Sequence, residues 1–148
     1  MIMSPREIVN RILLDDITGF TFSGGEPMEQ AGGFAEVAHI ARHERDINII
    51  CFTGYRYEHL LKDPPNSDVA GLLAQVDVLI DGPYVQALND SIGLRGSANQ
   101  RIIHLSSRLR DHDLESFKRS IEIRITNGEL AFVGIPTPGM TSAMEGIL

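Results

Sequence analysis

The sequence predicts an α/β fold of mostly parallel strands alternating with helices and closing in a C-terminal β-hairpin. Three observations carry that expectation. Ile47-Asn48-Ile49-Ile50-Cys51-Phe52 and Val76-Asp77-Val78-Leu79-Ile80 are mostly apolar runs with little alternation, the pattern of parallel strands covered on both faces. Between the strand candidates lie stripes of apolar residues at helical spacing. Near the end, Ile121-Glu122-Ile123-Arg124-Ile125 alternates cleanly, and Asn127-Gly128 precedes Leu130-Ala131-Phe132-Val133, the signature of a two-residue hairpin turn.

The elements follow in order. Ser4-Pro5-Arg6-Glu7 combines a capping serine, a proline suited to the first turn and a glutamate that completes a capping box. Ile8, Val9, Ile12 and Leu13 give the helix its apolar stripe. Gly19-Phe20-Thr21-Phe22 reads as a short strand, running into Ser23-Gly24-Gly25-Glu26-Pro27 and then a helix marked by Phe34, Val37, Ala38 and Ala41. The strand at 47–52 leads through Thr53-Gly54-Tyr55 to a short helical piece containing Tyr57 and Leu60. Lys62-Asp63-Pro64-Pro65-Asn66 breaks regular structure, and Ser67 or Asp68 is placed to cap a helix carrying Val69, Leu72 and Leu73. The strand at 76–80 ends at Asp81-Gly82-Pro83. Arg95 to Gln100 forms a polar loop, Arg101 to Leu105 returns to the sheet, and Leu114 and Phe117 anchor the charged stretch 107–120. In the hairpin, Ile125 opposes Leu130 and Ile123 opposes Phe132, giving one apolar face to cover the body. Beyond Thr137 no pattern is decisive.

Composition narrows the function classes. A chain of 148 residues with 43% hydrophobic content builds one folded domain, 1–148, with a sizeable core. Thirteen Lys plus Arg against twenty Asp plus Glu leave a net charge of -7, which argues against holding a nucleic-acid backbone. No stretch reaches the length of a membrane span, and no leader reads as a secretory signal. Cys51 is the only cysteine, so no internal disulfide forms and a reducing, cytoplasmic setting is expected.

Ser23-Gly24-Gly25-Glu26-Pro27 is the sharpest local signal. Adjacent glycines at a strand end let backbone approach a ligand closely, and Glu26 adds an acceptor for an ammonium group; a tight turn with a solvated acid is the plainer reading. The glycine spacing is not that of a dinucleotide fold, and no Lys-Ser or Lys-Thr ending makes it a phosphate loop. Thr53 and Tyr55 follow a strand, where they line a cavity or serve as a turn hydroxyl and a packing aromatic. Asp81 is placed to organise a cation or a ligand's polar group, or to cap its own turn. Arg95, Asn99, Gln100 and Arg101 offer contacts to a ligand or partner, or tie their own loop. His39 and His43 lie one helical turn apart without a convincing ligand set, so no metal residue is expected. Ser23 has no triad partners, and no residue is assigned as catalytic.

In order, the blocks Gly19–Gln30, Phe52-Thr53-Gly54-Tyr55, Asp77–Tyr84 and Arg95–Arg101 resemble the activating protein of anaerobic ribonucleoside-triphosphate reductase and its radical S-adenosylmethionine relatives, over roughly residues 4 to 105. The resemblance implies a partial α/β barrel. It also implies a [4Fe–4S] cluster that cleaves S-adenosylmethionine, and a glycyl-radical enzyme as the partner from which hydrogen is abstracted. Gly24, Gly25 and Glu26 match the motif that holds the methionine amino end; Thr53, Tyr55, Asp81 and Asn99 fall in the other blocks and are candidate cofactor contacts.

The family's Cys-x-x-x-Cys-x-x-Cys loop has no counterpart: none of the 23 residues before Gly24 is cysteine, and such clusters need roughly three or four thiolates. The expectation is therefore an incomplete domain that lacks its cluster segment and first strand, binds S-adenosylmethionine at most, and is inactive by itself. Its open sheet edge should self-associate or be poorly ordered. A noncatalytic S-adenosylmethionine-binding or protein-interaction module is the alternative.

Overall fold

The computed structural model describes residues 2–119 and, beyond them, 122–126, 129–134 and 137–146; side chains are not described over 122–133 or at Met144. The chain divides into two compact units, one formed by residues up to Pro83 together with Arg101–His112, the other by Tyr84–Gln100 with the segment from Asp113 onward.

The first unit is built on a four-stranded sheet in chain order: β1 (Gly19–Phe22), β2 (Asn48–Thr53), β3 (Val78–Asp81) and β4 (Arg101–His104). The first three strands are parallel, with Phe22 beside Cys51 and Cys51 beside Leu79. Strand β4 is antiparallel to β3, setting Arg101 beside Asp81. No helical crossover joins β3 to β4, so the parallel rule of a crossover unit does not bind here. The sheet is open, with β1 and β4 at its edges, and not a closed barrel; four strands fall short of the roughly eight that close one.

Local chemistry explains the helices. Helix α1 (Pro5–Ile12) has the expected capping box, with Ser4 N donating to Glu7 Oε2 at 2.8 Å and Glu7 N donating to Ser4 Oγ at 3.3 Å. Helix α2 (Ala31–Glu44) packs against α1 and against α4 (Val69–Leu73), burying Val37, Ala38 and Ala41. Asp68 stands at the start of α4 but makes no side-chain cap. Its own amide donates to Asn66 Oδ1 at 3.1 Å, an Asx turn that leads the chain into the helix. Helix α3 (Tyr57–Lys62) buries Leu60. The core gathers Val9, Phe22, Met28, Ile49, Leu72 and Leu79 with their neighbours. All four residues of β3 are buried, as expected for a strand covered on both faces. Cys51 is fully buried, a small core hydrophobe.

In the second unit, β5 (Glu122–Thr126) pairs antiparallel with β6 (Glu129–Val133). The register sets Ile125 beside Leu130 and Ile123 beside Phe132, as the hairpin reading requires; the Asn127-Gly128 turn and the hairpin's apolar face lie outside the described residues. Phe117 is 38% exposed and is not the anchor the sequence suggested. Main-chain bonds tie this stretch instead, from Gly93 N to the Phe117 carbonyl and from Leu94 N to the Leu114 carbonyl. Helix α5 (Pro138–Glu145) occupies the final segment. Among the described residues no helix is long and apolar enough to cross a membrane.

Candidate functional site

Because β1, β2 and β3 are parallel, their carboxyl ends lie along one edge of the sheet. The antiparallel β4 brings its first residue, Arg101, to the same edge. That edge therefore assembles Gly24-Gly25-Glu26, Thr53-Gly54-Tyr55 and Asp81-Gly82. Open α/β sheets bind their ligands at such strand ends.

Gly24 and Gly25 turn the chain out of β1 with φ of 77° and 56°, a region open to glycine at little cost. Both are exposed, and no atom lies within 4 Å of where a Cβ would stand, so their backbone faces open space. Glu26 follows and points back into the protein. Its Oε1 accepts from Met28 N at 3.0 Å and from Thr53 Oγ1 at 2.8 Å, and its Oε2 accepts from Gly54 N at 2.8 Å. One carboxylate thus straps the β1 exit to the β2 exit. A carboxylate has about four acceptor positions, so little of Glu26 is left for a ligand ammonium.

Thr53 is buried and relays the strap, its Oγ1 accepting from Tyr55 N at 3.2 Å. Tyr55 is half-buried; its ring stacks on His59 with centroids 5.6 Å apart, and its hydroxyl bonds to Glu29. That bond to a carboxylate, then burial and the nearby negative charges, raise the phenol's pKa.

Asp81 is fully buried and committed to the protein. Tyr57 N donates to Oδ2 at 2.8 Å, Arg101 Nε donates to Oδ1 at 2.9 Å, Arg101 Nη2 donates to Oδ2, and Arg56 Nη1 lies 3.4 Å from Oδ1. Burial alone pushes this carboxyl up; the Arg101 bonds, the Tyr57 amide and the two guanidinium charges outweigh it and hold it below its ordinary value. Arg101 also grips Glu58 through both η nitrogens at 2.9 and 2.7 Å, which lowers the Glu58 carboxyl to about 2. Asp81 thus clasps β3, β4 and the start of α3 together, as Asp77 does at the other end of β3. There Asp77 Oδ2 accepts from Ile49 N at 2.8 Å and Arg42 Nη2 at 2.5 Å, and Oδ1 accepts from Ser106 Oγ at 2.6 Å. Gly82, with φ of 101°, passes so close to Arg56 that a Cβ would meet its Cζ at 3.0 Å.

Six of the seven sequence-predicted residues therefore share this edge: Gly24, Gly25, Glu26, Thr53, Tyr55 and Asp81. Asn99 is half-buried in the other unit, in a loop where Gln100 Oε1 accepts from Gly96 N at 2.8 Å. Sequence reasoning missed Glu29, Arg56, Glu58 and His59. None sits in a recognisable pattern, and their partners lie more than twenty residues away except for the Tyr55–His59 pair, whose i, i+4 spacing was the one available signal.

A family model described as a 4Fe-4S single cluster domain matches residues 4–103. The chain is similar to curated proteins named anaerobic ribonucleoside-triphosphate reductase-activating protein. The relative from Haemophilus influenzae is 38% identical over 90 residues, covering 58% of this chain and 54% of the relative. That from Vibrio cholerae is 36% identical over the same span and coverage. The relative from Enterobacteria phage T4 is 28% identical over 113 residues, covering 73% and 67%. The chain spans about half the length of the two bacterial relatives it matches. No solved structure matches.

The residues present do not fit a [4Fe–4S] cluster. Cys51 is the single thiol; it lies inside β2, and burial, with the Glu26 charge adding to it, pushes it up to about 12, whereas cluster ligation needs thiolates. Among the described residues no group of three or more His, Cys, Asp or Glu side chains is placed to hold a metal ion.

Proposed function

The chain belongs to the 4Fe-4S single cluster domain family, and on that premise we propose that it is the S-adenosylmethionine-binding portion of a radical enzyme that activates a glycyl-radical enzyme, such as anaerobic ribonucleotide reductase, by abstracting hydrogen from a glycine. The observation that carries this reading is the convergence of the Gly24-Gly25-Glu26, Thr53-Gly54-Tyr55 and Asp81-Gly82 turns on the carboxyl edge of one sheet. The names of the bacterial and phage relatives support the partner class.

Bound at this edge, S-adenosylmethionine would supply the oxidising equivalent for the glycine abstraction, with the electron that cleaves it coming from a reductant outside this chain. The exposed Gly24-Gly25 backbone is open for the ligand's ammonium group, and Glu26 holds that backbone in place through Thr53 and Gly54. Preorganised groups of this kind orient a ligand without an ordering cost at the moment of binding. No step is assigned to a cluster on this chain, and the 148-residue polypeptide alone is expected to cleave no S-adenosylmethionine. Its sheet edge at β1 is a site of self-association.

The absence of a fitting cluster ligand set favours a second reading, a noncatalytic S-adenosylmethionine-binding or protein-interaction module. Titration calorimetry of the chain with S-adenosylmethionine, comparing wild type with G25V, tests the binding common to both. A β-branched valine is strained at a φ of 56° and shifts the turn, so affinity should fall about tenfold or more; equal affinities would remove the turn from the site. Loading the chain with iron and sulfide and assaying 5′-deoxyadenosine tests the inactivity that both readings expect of this polypeptide alone: product would refute it.

A further inference from the structure

We propose that the Tyr55–His59 pair is a stacking shelf for the planar purine end of an adenosyl ligand. The inference rests on the reading above and assigns a second subsite of the same edge. The two rings lie parallel, their planes 2° apart and their centroids separated by 5.6 Å. Tyr55 is half-buried and His59 exposed, so the pair presents a flat aromatic surface to solvent. Leu60, 2% exposed, is buried in the core, and Tyr55 packs partly against it, which leaves the exposed His59 ring, backed by Tyr55, as the aromatic face open to a base.

Tyr55 is held unusually firmly for a residue at the surface. Its amide donates to Thr53 Oγ1 at 3.2 Å, its carbonyl accepts from Gly82 N at 3.0 Å, and its hydroxyl bonds to Glu29. The shelf is thereby fixed to its own turn, to Gly82 after β3 and to Glu29 in the segment that follows the Gly24-Gly25-Glu26 turn, and a rigid aromatic face binds a purine with little loss of side-chain freedom. The charge beside it selects the ligand class. Glu26 and Glu29 both act on Tyr55 electrostatically, while the two nearby guanidiniums are paired, Arg56 with Asp81 and Arg101 with Asp81 and Glu58. A cationic sulfonium nucleoside is favoured here, and a nucleoside polyphosphate is disfavoured.

The test is titration calorimetry of the intact chain with S-adenosylmethionine, methionine and ATP, for wild type, H59A, H59F and Y55F. Circular dichroism melts verify that the variants fold. Loss of one aromatic surface under a base should weaken S-adenosylmethionine roughly tenfold in H59A, leave methionine unchanged, and be restored in H59F. ATP should bind wild type more weakly than S-adenosylmethionine. Y55F keeps the ring but loses its hydroxyl bond to Glu29, and should weaken S-adenosylmethionine by less than H59A does. If wild type binds S-adenosylmethionine and H59A binds it equally well, or H59A weakens methionine to the same extent, the shelf is refuted while the ligand assignment stands. If wild type binds no S-adenosylmethionine, the ligand assignment itself fails and the shelf falls with it.

Discussion

Replacing Glu26 by alanine should be felt first as lost stability. The substitution removes the acceptor of three hydrogen bonds, from Met28 N, Thr53 Oγ1 and Gly54 N. Met28 is fully buried and Thr53 is 3% exposed, so water does not readily replace the carboxylate at those donors. Gly54 is exposed, and its amide rehydrates at little cost. Each hydrogen bond to a charged acceptor is worth about 1.5–3 kcal/mol. Counting the two sheltered donors, and discounting for partial relaxation, gives about 2–4 kcal/mol for E26A. E26Q retains one good acceptor oxygen and the packing volume, so its cost should be about 1–2 kcal/mol. Urea unfolding at pH 7 measures both, with unchanged slope marking a change in stability alone. Amide exchange at Gly54 and Met28 should quicken in E26A. An E26A chain within 0.5 kcal/mol of wild type would refute the strap and return Glu26 to the role of a free ligand acceptor.

Removing Arg101 as R101M uncovers the buried Asp81 carboxylate; breaking such a pair costs about 3–5 kcal/mol, and the low end applies because Arg56 remains nearby. The Asp81 and Glu58 carboxyls are held below their ordinary values, so their contribution is complete above pH ~5 and declines as pH falls from ~4 towards and through the folded values, Glu58's being about 2. Urea midpoints of wild type should therefore be level from pH 7 to 5 and drop below pH ~4, and the gap to R101M should narrow there; a gap independent of pH would contradict the clasp. Cys51 should resist thiol reagents at pH 8 until urea unfolds the chain, and iron and sulfide should leave no stoichiometric cluster absorbance; rapid labelling, or about four irons per chain, would overturn its assignment as a core residue. The β1 edge should make the chain dimerise in sedimentation equilibrium, with T21K shifting it to monomer, because an exposed lysine blunts a strand edge; a wild-type monomer at high concentration would refute self-association.

Much of the scaffold was legible because it depends on local pattern. The apolar runs around Ile49 and Leu79 are strands, Ser4 and Glu7 form the capping box, and the hairpin register follows from a two-residue connection. Parallel order then brought three of the four motif blocks to one edge. What sequence could not give was the use each side chain makes of that edge. Glu26 reads as a free acid, yet its partners are 27 and 28 residues away and consume most of it. Asp81 reads as a ligand organiser, and Arg101, twenty residues on, makes it a clasp. The same ambiguity hid Asp77, which looked like one more residue of a strand. Helix α5 escaped because its Pro-Gly-Met-Thr-Ser-Ala-Met-Glu run has neither a strong apolar stripe nor good helix formers at its start. The antiparallel sense of β4 depends on a connection without a regular crossover, which periodicity does not report.

The most direct test of the account is amide chemical-shift mapping of the isotopically labelled 148-residue chain during titration with S-adenosylmethionine. The account predicts saturable shifts at Gly24, Gly25, Gly54 and Tyr55, with none at the Asp77 end of the sheet. An unchanged spectrum at millimolar ligand, or shifts gathered around Asp77 and Ser106, would contradict it.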